Sequence, residues 1–229
     1  MRSLAFTFVA LAAGGAAFAA DPPPAPGDIV GARAILDVRP PARSGFVPEA
    51  LPPRFVLFDD GRVVVGGYAG LATARLERDE QKTLDKRLAQ VKRLPGVGTS
   101  VSFGADQPRY RLRLPKERID IVAAGDPDLA PPELRPLATL IRDLAAFDHA
   151  SLQPLAAEQF RASAREETLP GGCRTWRAEP PVSALAEQPR VLPAGSAAGW
   201  PTGGYAASVC EGGRRFSLTL RPLVPGEQP

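Results

Sequence analysis

Residues 55–65, FVLFDDGRVVV, read as a β-hairpin, and its two arms decide the fold class. FVLF and VVV are made of aromatic, aliphatic and β-branched residues, the types that suit a pleated surface. Asp60-Gly61 between them signals a tight turn, because glycine reaches positive φ without the clash that a Cβ brings. Neither arm alternates apolar with polar residues. A strand that is apolar on both sides is covered on both sides, so the hairpin is expected in the interior of a sheet that carries material on each face.

Shorter stretches flank it. Residues 34–38 (AILDV) precede the hairpin as a strand, and residues 72–76 return as a third. Over residues 78–94 the period changes: Leu84, Leu88 and Val91 recur at i, i+4 and i+7, on one face of a helix. Asp79 and Glu80 near its start, and Lys92 and Arg93 near its end, suit the helix dipole. Strands are expected again over residues 99–103, 109–114 and 119–123. A second helix over residues 133–147 then carries Leu137, Leu140, Ile141 and Leu144 as its stripe, with Pro131-Pro132 at its entry. Strands followed by a helix thus occur twice in outline, without residue-level identity between the halves. Residues 158–166 have helical composition, yet Phe160, Ala162 and Ala164 alternate with polar neighbours, and a strand is expected. Residues 216–220 (FSLTL) alternate as a last strand, and the tail from Pro225 is expected to fray. These patterns predict an α+β fold, a mostly antiparallel sheet with two principal helices packed on one face. A Gly/Pro-rich C-terminal region completes it: 12 of the 38 residues from 168 to 205 are Gly or Pro, so residues 168–210 are expected to be an irregular loop.

The first 19 residues read as a cleavable signal peptide. Arg2 supplies a positive start, LAFTFVALAA at residues 4–13 an apolar run, and Ala17-Phe18-Ala19 a small-x-small site, with cleavage expected between Ala19 and Ala20. A spanning helix needs about 20 apolar residues, and Asp21 with a proline run follows too soon. No cysteine lies just after the run, so lipid anchoring is not expected, nor is membrane insertion after cleavage. Residues 20–33 are expected to be a proline-rich linker and residues 34–229 a single domain. Without Arg2 the chain holds 27 basic and 25 acidic side chains, too balanced for nucleic-acid binding, which needs a basic patch. Cys173 and Cys210 are the two cysteines, and in an oxidising compartment they are expected to form a structural disulfide.

No catalytic constellation is legible. His149 is the single histidine and follows a helix end, G-x-S-x-G and S-x-x-K are missing, and no cofactor or metal site is expected. Asp126, Asp128, Asp59 and Asp60 form acidic pairs at turns, where local hydrogen bonding accounts for them. Residues 66–70 (GGYAG) fit neither a dinucleotide fingerprint nor a phosphate loop and read as a hairpin connection. Two groups remain as binding candidates. Arg109, Arg111 and Arg113 line one face of a strand, either to grip an anionic envelope polymer or as the solvated side of a half-buried strand. Trp176, Trp200 and Tyr205 surround the disulfide loop, either as a contact surface or as the small core that lets such a loop hold shape.

Gly45-Phe46-Val47-Pro48, the hairpin of residues 55–65 and the closing Arg221-Pro-Leu-Val-Pro-Gly-Glu227 together resemble a loose group of secreted or lipid-anchored bacterial proteins. Those proteins carry an F-x-L-x-x-DG-x-V hairpin and an R-P-L-x-P-x-E-like tail. The resemblance implies export and a bacterial envelope setting, periplasmic or extracellular; it implies no activity and no functional residues. The expected function is a non-enzymatic module that binds a protein or envelope component. A hydrolase using dispersed carboxylates and a passive structural or stress-related envelope protein are the alternatives.

Overall fold

In the computed structural model, which describes residues 28–94, 100–104, 106–168 and 171–228, the hairpin lies inside an eight-stranded sheet. The expected signal peptide, its expected cut between Ala19 and Ala20, and the proline run of residues 22–26 lie outside the described residues. The first strands are β1 (Ala32–Arg39), β2 (Phe55–Phe58), β3 (Arg62–Gly67) and β4 (Gly70–Arg75). Helix α1 (Arg78–Val91) follows, then β5 (Ser100–Ser102), β6 (Arg109–Leu114), β7 (Ile119–Ala124), α2 (Arg135–Ala145) and β8 (Gln153–Leu155). The order is β5-β7-β6-β1-β2-β3-β4-β8, antiparallel except for the β5–β7 pair.

The hairpin is buried on both sides, as its composition requires. Gly61 takes φ +78° at the turn, and Asp60 Oδ1 accepts a hydrogen bond from the Arg62 N–H at 3.0 Å. Phe55, Leu57, Val63 and Val65 face α1 and α2, joining Leu84, Leu88, Leu137, Leu140 and Ile141. Val56, Phe58 and Val64 face the other way and meet Ile29, Ile35, Leu71 and Val224. Each such side chain contributes about 1.5–3 kcal/mol when fully buried. Arg54 ties the layers together: its guanidinium donates to the Ala145 carbonyl at the end of α2 (2.6 Å) and to the Gly66 carbonyl (3.1 Å). A cation at a helix C-terminus meets the negative end of its dipole.

The remaining chain forms a second sheet rather than an extension of the first, which is a finer arrangement than the one sheet expected. Its elements are β9 (Gln159–Glu167), β10 (Arg174–Thr175), α3 (Val182–Glu187), β11 (Arg190–Pro193), α4 (Ala194–Ala197), β12 (Ala206–Glu211) and β13 (Arg214–Pro222). The order is β10-β12-β13-β9-β11, antiparallel except for β10–β12. Phe216, Leu218 and Leu220 of β13 point into a core of their own with Ala162, Val182, Leu185 and Val209.

Three expectations are corrected here. Residues 168–210 are not one continuous loop: irregular chain there alternates with three strands and two short helices. Their glycines and prolines stand mainly at the joints, and the pieces between are too short to show a period. The tail over residues 225–228 does not fray. Glu227 folds back, its side chain fully buried, and accepts from Arg221 Nη1 and Nη2 at 2.6 Å and from the Val224 N–H at 3.2 Å. Finally, the linker does not reach residue 33, because Ile29 is buried and bridges to Glu227, and β1 starts at Ala32.

Cys173 and Cys210 form the disulfide, with Cα atoms 5.6 Å apart. It joins the start of the edge strand β10 to β12. No helix among the described residues is long and apolar enough to cross a membrane.

Candidate functional site

The two sheets meet along a seam built by residues 43–47. After β1 the chain turns at Gly45, and the Val47 N–H donates to the Gly204 carbonyl (2.8 Å) while the Ala206 N–H donates to the Gly45 carbonyl (3.0 Å). Phe46 is buried in this seam. Two tyrosine rings lie against it, Tyr68 and Tyr205, each with its centroid 5.6 Å from that of Phe46. Both tyrosines are open to solvent, at 57% and 52% exposure. Tyr68 sits on the β3–β4 turn, and Tyr205 immediately precedes β12.

Glycine makes this approach possible. A Cβ on Gly203 would lie 2.4 Å from the Tyr68 carbonyl oxygen, and one on Gly204 would lie 2.4 Å from the Phe46 ring. Both glycines have positive φ, +69° and +92°. The two tyrosines come from the same tetrapeptide, Gly-Gly-Tyr-Ala, at residues 66–69 and 203–206. That repeated GGYA is the signal by which the sequence shows the pair. Reading residues 66–70 only as a hairpin connection misses Tyr68 and Phe46, although the connection itself is as expected.

The tryptophans are elsewhere. Trp176 is 7% exposed and donates its indole N–H to the Pro180 carbonyl at 2.9 Å. Trp200 is half-buried against it, with centroids 5.4 Å apart and the Arg174 guanidinium 4.2 Å above its ring. They pack with the second core, as a small core for the tethered region would, and Tyr205 does not join them.

The arginine row is largely neutralised from within. Arg111 forks onto Asp120, with Nε–Oδ1 at 2.9 Å and Nη2–Oδ2 at 2.5 Å. Arg113 reaches Asp37 at 3.2 Å and Asp28 at 4.0 Å. The guanidinium fork holds the Asp120 carboxyl below the usual carboxylate range, chiefly through the hydrogen bonds from Arg111. The Arg109 side chain has no ion pair or hydrogen bond among the described residues. The acidic turn pairs act locally: Asp126 accepts from the Asp128 N–H (2.9 Å), Asp128 meets Arg142 (2.8 Å), and Asp59 meets Lys116 (2.6 Å).

A cleft of about 460 Å³ lies between α1 and the end of α2, with Leu84, Leu144 and Phe147 as its floor and Asp79, Glu80 and His149 at its rim. His149 Nδ1 accepts from the Ser151 N–H at 3.2 Å and lies 2.7 Å from Ser151 Oγ. Its Nε2 lies 3.1 Å from Glu80 Oε1. An Nδ1 that accepts leaves the proton on Nε2, so the imidazole donates to Glu80. The other Glu80 oxygen caps α1, accepting from the Glu77 N–H at 2.7 Å. That bond is the largest of the influences that lower the Glu80 pKa, with His149 a smaller one. No group of three or more His, Cys, Asp or Glu side chains among the described residues is arranged to hold a metal ion.

Comparison of the chain with protein-family models, with curated proteins and with solved structures finds no match.

Proposed function

We propose that the chain is an exported, non-enzymatic module that binds a protein or other envelope component through Tyr68, Phe46 and Tyr205. The observation that carries this reading is the convergence of two GGYA segments, 137 positions apart, which hold two exposed tyrosines against one buried phenylalanine. Tyrosine offers a large, stiff contact area at low entropic cost. Export is supported by the charge, apolar and small-residue order of residues 1–19 and by the disulfide, which suits an oxidising compartment. The test is site-specific photo-crosslinking in native envelopes, with the crosslinker at position 68, at position 205 or at the exposed control Leu129. The same adduct at 68 and 205, and none at 129, is expected. Equal labelling at all three positions would remove the site.

A hydrolase is the second reading, favoured by the Glu80–His149–Ser151 chain of contacts. In it Ser151 attacks a carbonyl, His149 Nδ1 takes the hydroxyl proton and Glu80 steadies the imidazolium. Two features weigh against it. The Ser151 backbone shares the same Nδ1, as in a local turn, and Asp79, Asp143 and Asp148 bring negative charge where an oxyanion needs donors. Ester turnover that is lost in Ser151→Ala would establish the hydrolase instead. A passive envelope role is the reading that remains if neither adduct nor turnover is found.

A further inference from the structure

The outer face of β1, β6, β7 and β5 is a lattice of three rungs whose pairing is set by strand register. Arg113 stands between Ile35 and Asp120 in the first rung. Asp37, Arg111, Val122 and Ser100 form the second. Arg39, Arg109, Ala124 and Ser102 form the third. The two carboxylates in the lattice are spent on diagonals that lead away from the third rung: Asp120 receives Arg111, and Asp37 receives Arg113. The third rung therefore has two arginines directly opposite one another and no carboxylate of its own.

Residues directly opposite in an antiparallel pair have Cβ atoms about 5 Å apart, and like charges there repel. Arg109 has no partner among the described residues. Arg39 has only Glu49, at 4.0 Å, with both side chains more than half exposed, a separation at which water screens most of the attraction. Beside them, Ala124 is too small to fill its place in the rung, and Val122 is left 37% exposed. The result is a shallow cavity of about 340 Å³ lined by Arg39, Arg109, Arg111, Tyr110 and Val122 together with Asp37 and Asp120, the two carboxylates already engaged by Arg113 and Arg111.

We propose that Arg39 and Arg109 form a binding site for an oxyanion, a carboxylate or phosphate group, carried on a molecule whose apolar part lies along Val122. Two guanidinium forks on neighbouring strands present parallel N–H donors to the oxygens of one such group. The bound anion removes the repulsion that the empty site carries. The site is distinct from the tyrosine pair, and the two stand or fall separately.

The sign of the stability change makes the test specific. Thermal unfolding is followed for the wild type, Arg39→Gln, Arg109→Gln and the control Arg190→Gln on β11. Each is measured in low-salt buffer and in rising inorganic phosphate or succinate, with ionic strength matched by sodium chloride. In low salt, Arg39→Gln and Arg109→Gln are expected to melt about 1–2 °C above the wild type, because one of two repelling charges is gone. Phosphate, succinate or both are expected to raise the midpoint of the wild type and of Arg190→Gln by several degrees, and to leave Arg39→Gln and Arg109→Gln unmoved. The anion that acts at the lower concentration identifies the group. A wild type that responds to neither anion beyond sodium chloride, or variants that respond as it does, would overturn the site. So would variants that melt below the wild type in low salt.

Discussion

The eight-stranded sheet buries its hairpin between two helices on one face and Ile29, Leu71 and Val224 on the other. The five-stranded sheet packs a single apolar face, Phe216, Leu218 and Leu220, against α3 and the tryptophans. Its other face is polar: Ser163 pairs with Thr219 at 2.7 Å, and Arg215 meets Glu167 at 3.0 Å and Ser208 at 2.6 Å. The larger sheet stands on apolar area and has no covalent tie. The smaller one adds a disulfide at its edge and a carboxylate cap at the start of α3, where Glu211 accepts from the Val182 and Ser183 N–H groups at 2.9 and 3.0 Å. A small core supplies less area per ordered residue, so polar and covalent ties carry a larger share there. The two regions then share the tail, which leaves β13, covers the back of the first sheet and locks through Arg221 and Glu227.

The sharpest way to break this contrast is at that lock. Glu227→Ala leaves the Arg221 guanidinium without its buried partner and is expected to cost about 3–5 kcal/mol, or roughly 10 °C in midpoint, with both regions losing amide protection together. A loss confined to one sheet would mean the tail serves that sheet alone. Next in size is the paired replacement Cys173→Ser with Cys210→Ser. It opens a 38-residue loop and is expected to cost about 2–4 kcal/mol, read by denaturant unfolding. Exchange should rise in β10 and β12 first and leave β2 and β3 protected.

Glu211→Ala removes the cap of α3 and is expected to cost about 1 kcal/mol. Asp120→Asn, on the outer lattice of the larger sheet, breaks a pair that is nearly half exposed and is expected to cost about 0.5 kcal/mol. Both effects carry a pH signature. The Glu211 carboxyl is held below its ordinary value chiefly by the Ser183 hydroxyl, and Asp120 chiefly by Arg111. A carboxyl depressed by folding contributes fully above its unfolded pKa, about 4, and loses that contribution as pH falls through the folded value. The gap between wild type and either variant is therefore expected to close below about pH 4 and to stay constant from pH 6 to 8. A gap that persists at pH 2 would mean that packing, rather than the charged carboxylate, carries the effect.

What was legible in the sequence follows from how local each pattern is. Residues 55–65, Arg78–Val91, Arg109–Leu114 and the strand around residues 216–220 each contain a full period or a turn signal, and the structure has them close to the expected bounds. Residues 158–166 resolve as the strand β9 because the alternation of Ala162 and Ala164 matches a sheet with one apolar face. Short pieces such as β10, β11 and α4 hold two to four residues, too few for a periodic pattern to stand out from its flanks. Among the candidate residues, Arg109, Arg111 and Arg113 were legible as a row, but the carboxylates that neutralise two of them were not: Asp120 meets Arg111 only through the β6–β7 register, and Asp37 and Asp28, which meet Arg113, come from more than 70 positions earlier.

By itself the sequence determined the α+β class, the two amphipathic helices, the doubly buried hairpin and the one possible disulfide, because each is encoded by spacing or by count within a short stretch. Only the tertiary structure decided that there are two sheets, that Glu227 closes on Arg221, that Tyr68 and Tyr205 share Phe46, and that Arg39 faces Arg109. These depend on register and on chain return over tens of residues. A shift of one position in a strand would turn every one of its side chains to the other face, and no local pattern reports which partner lies across.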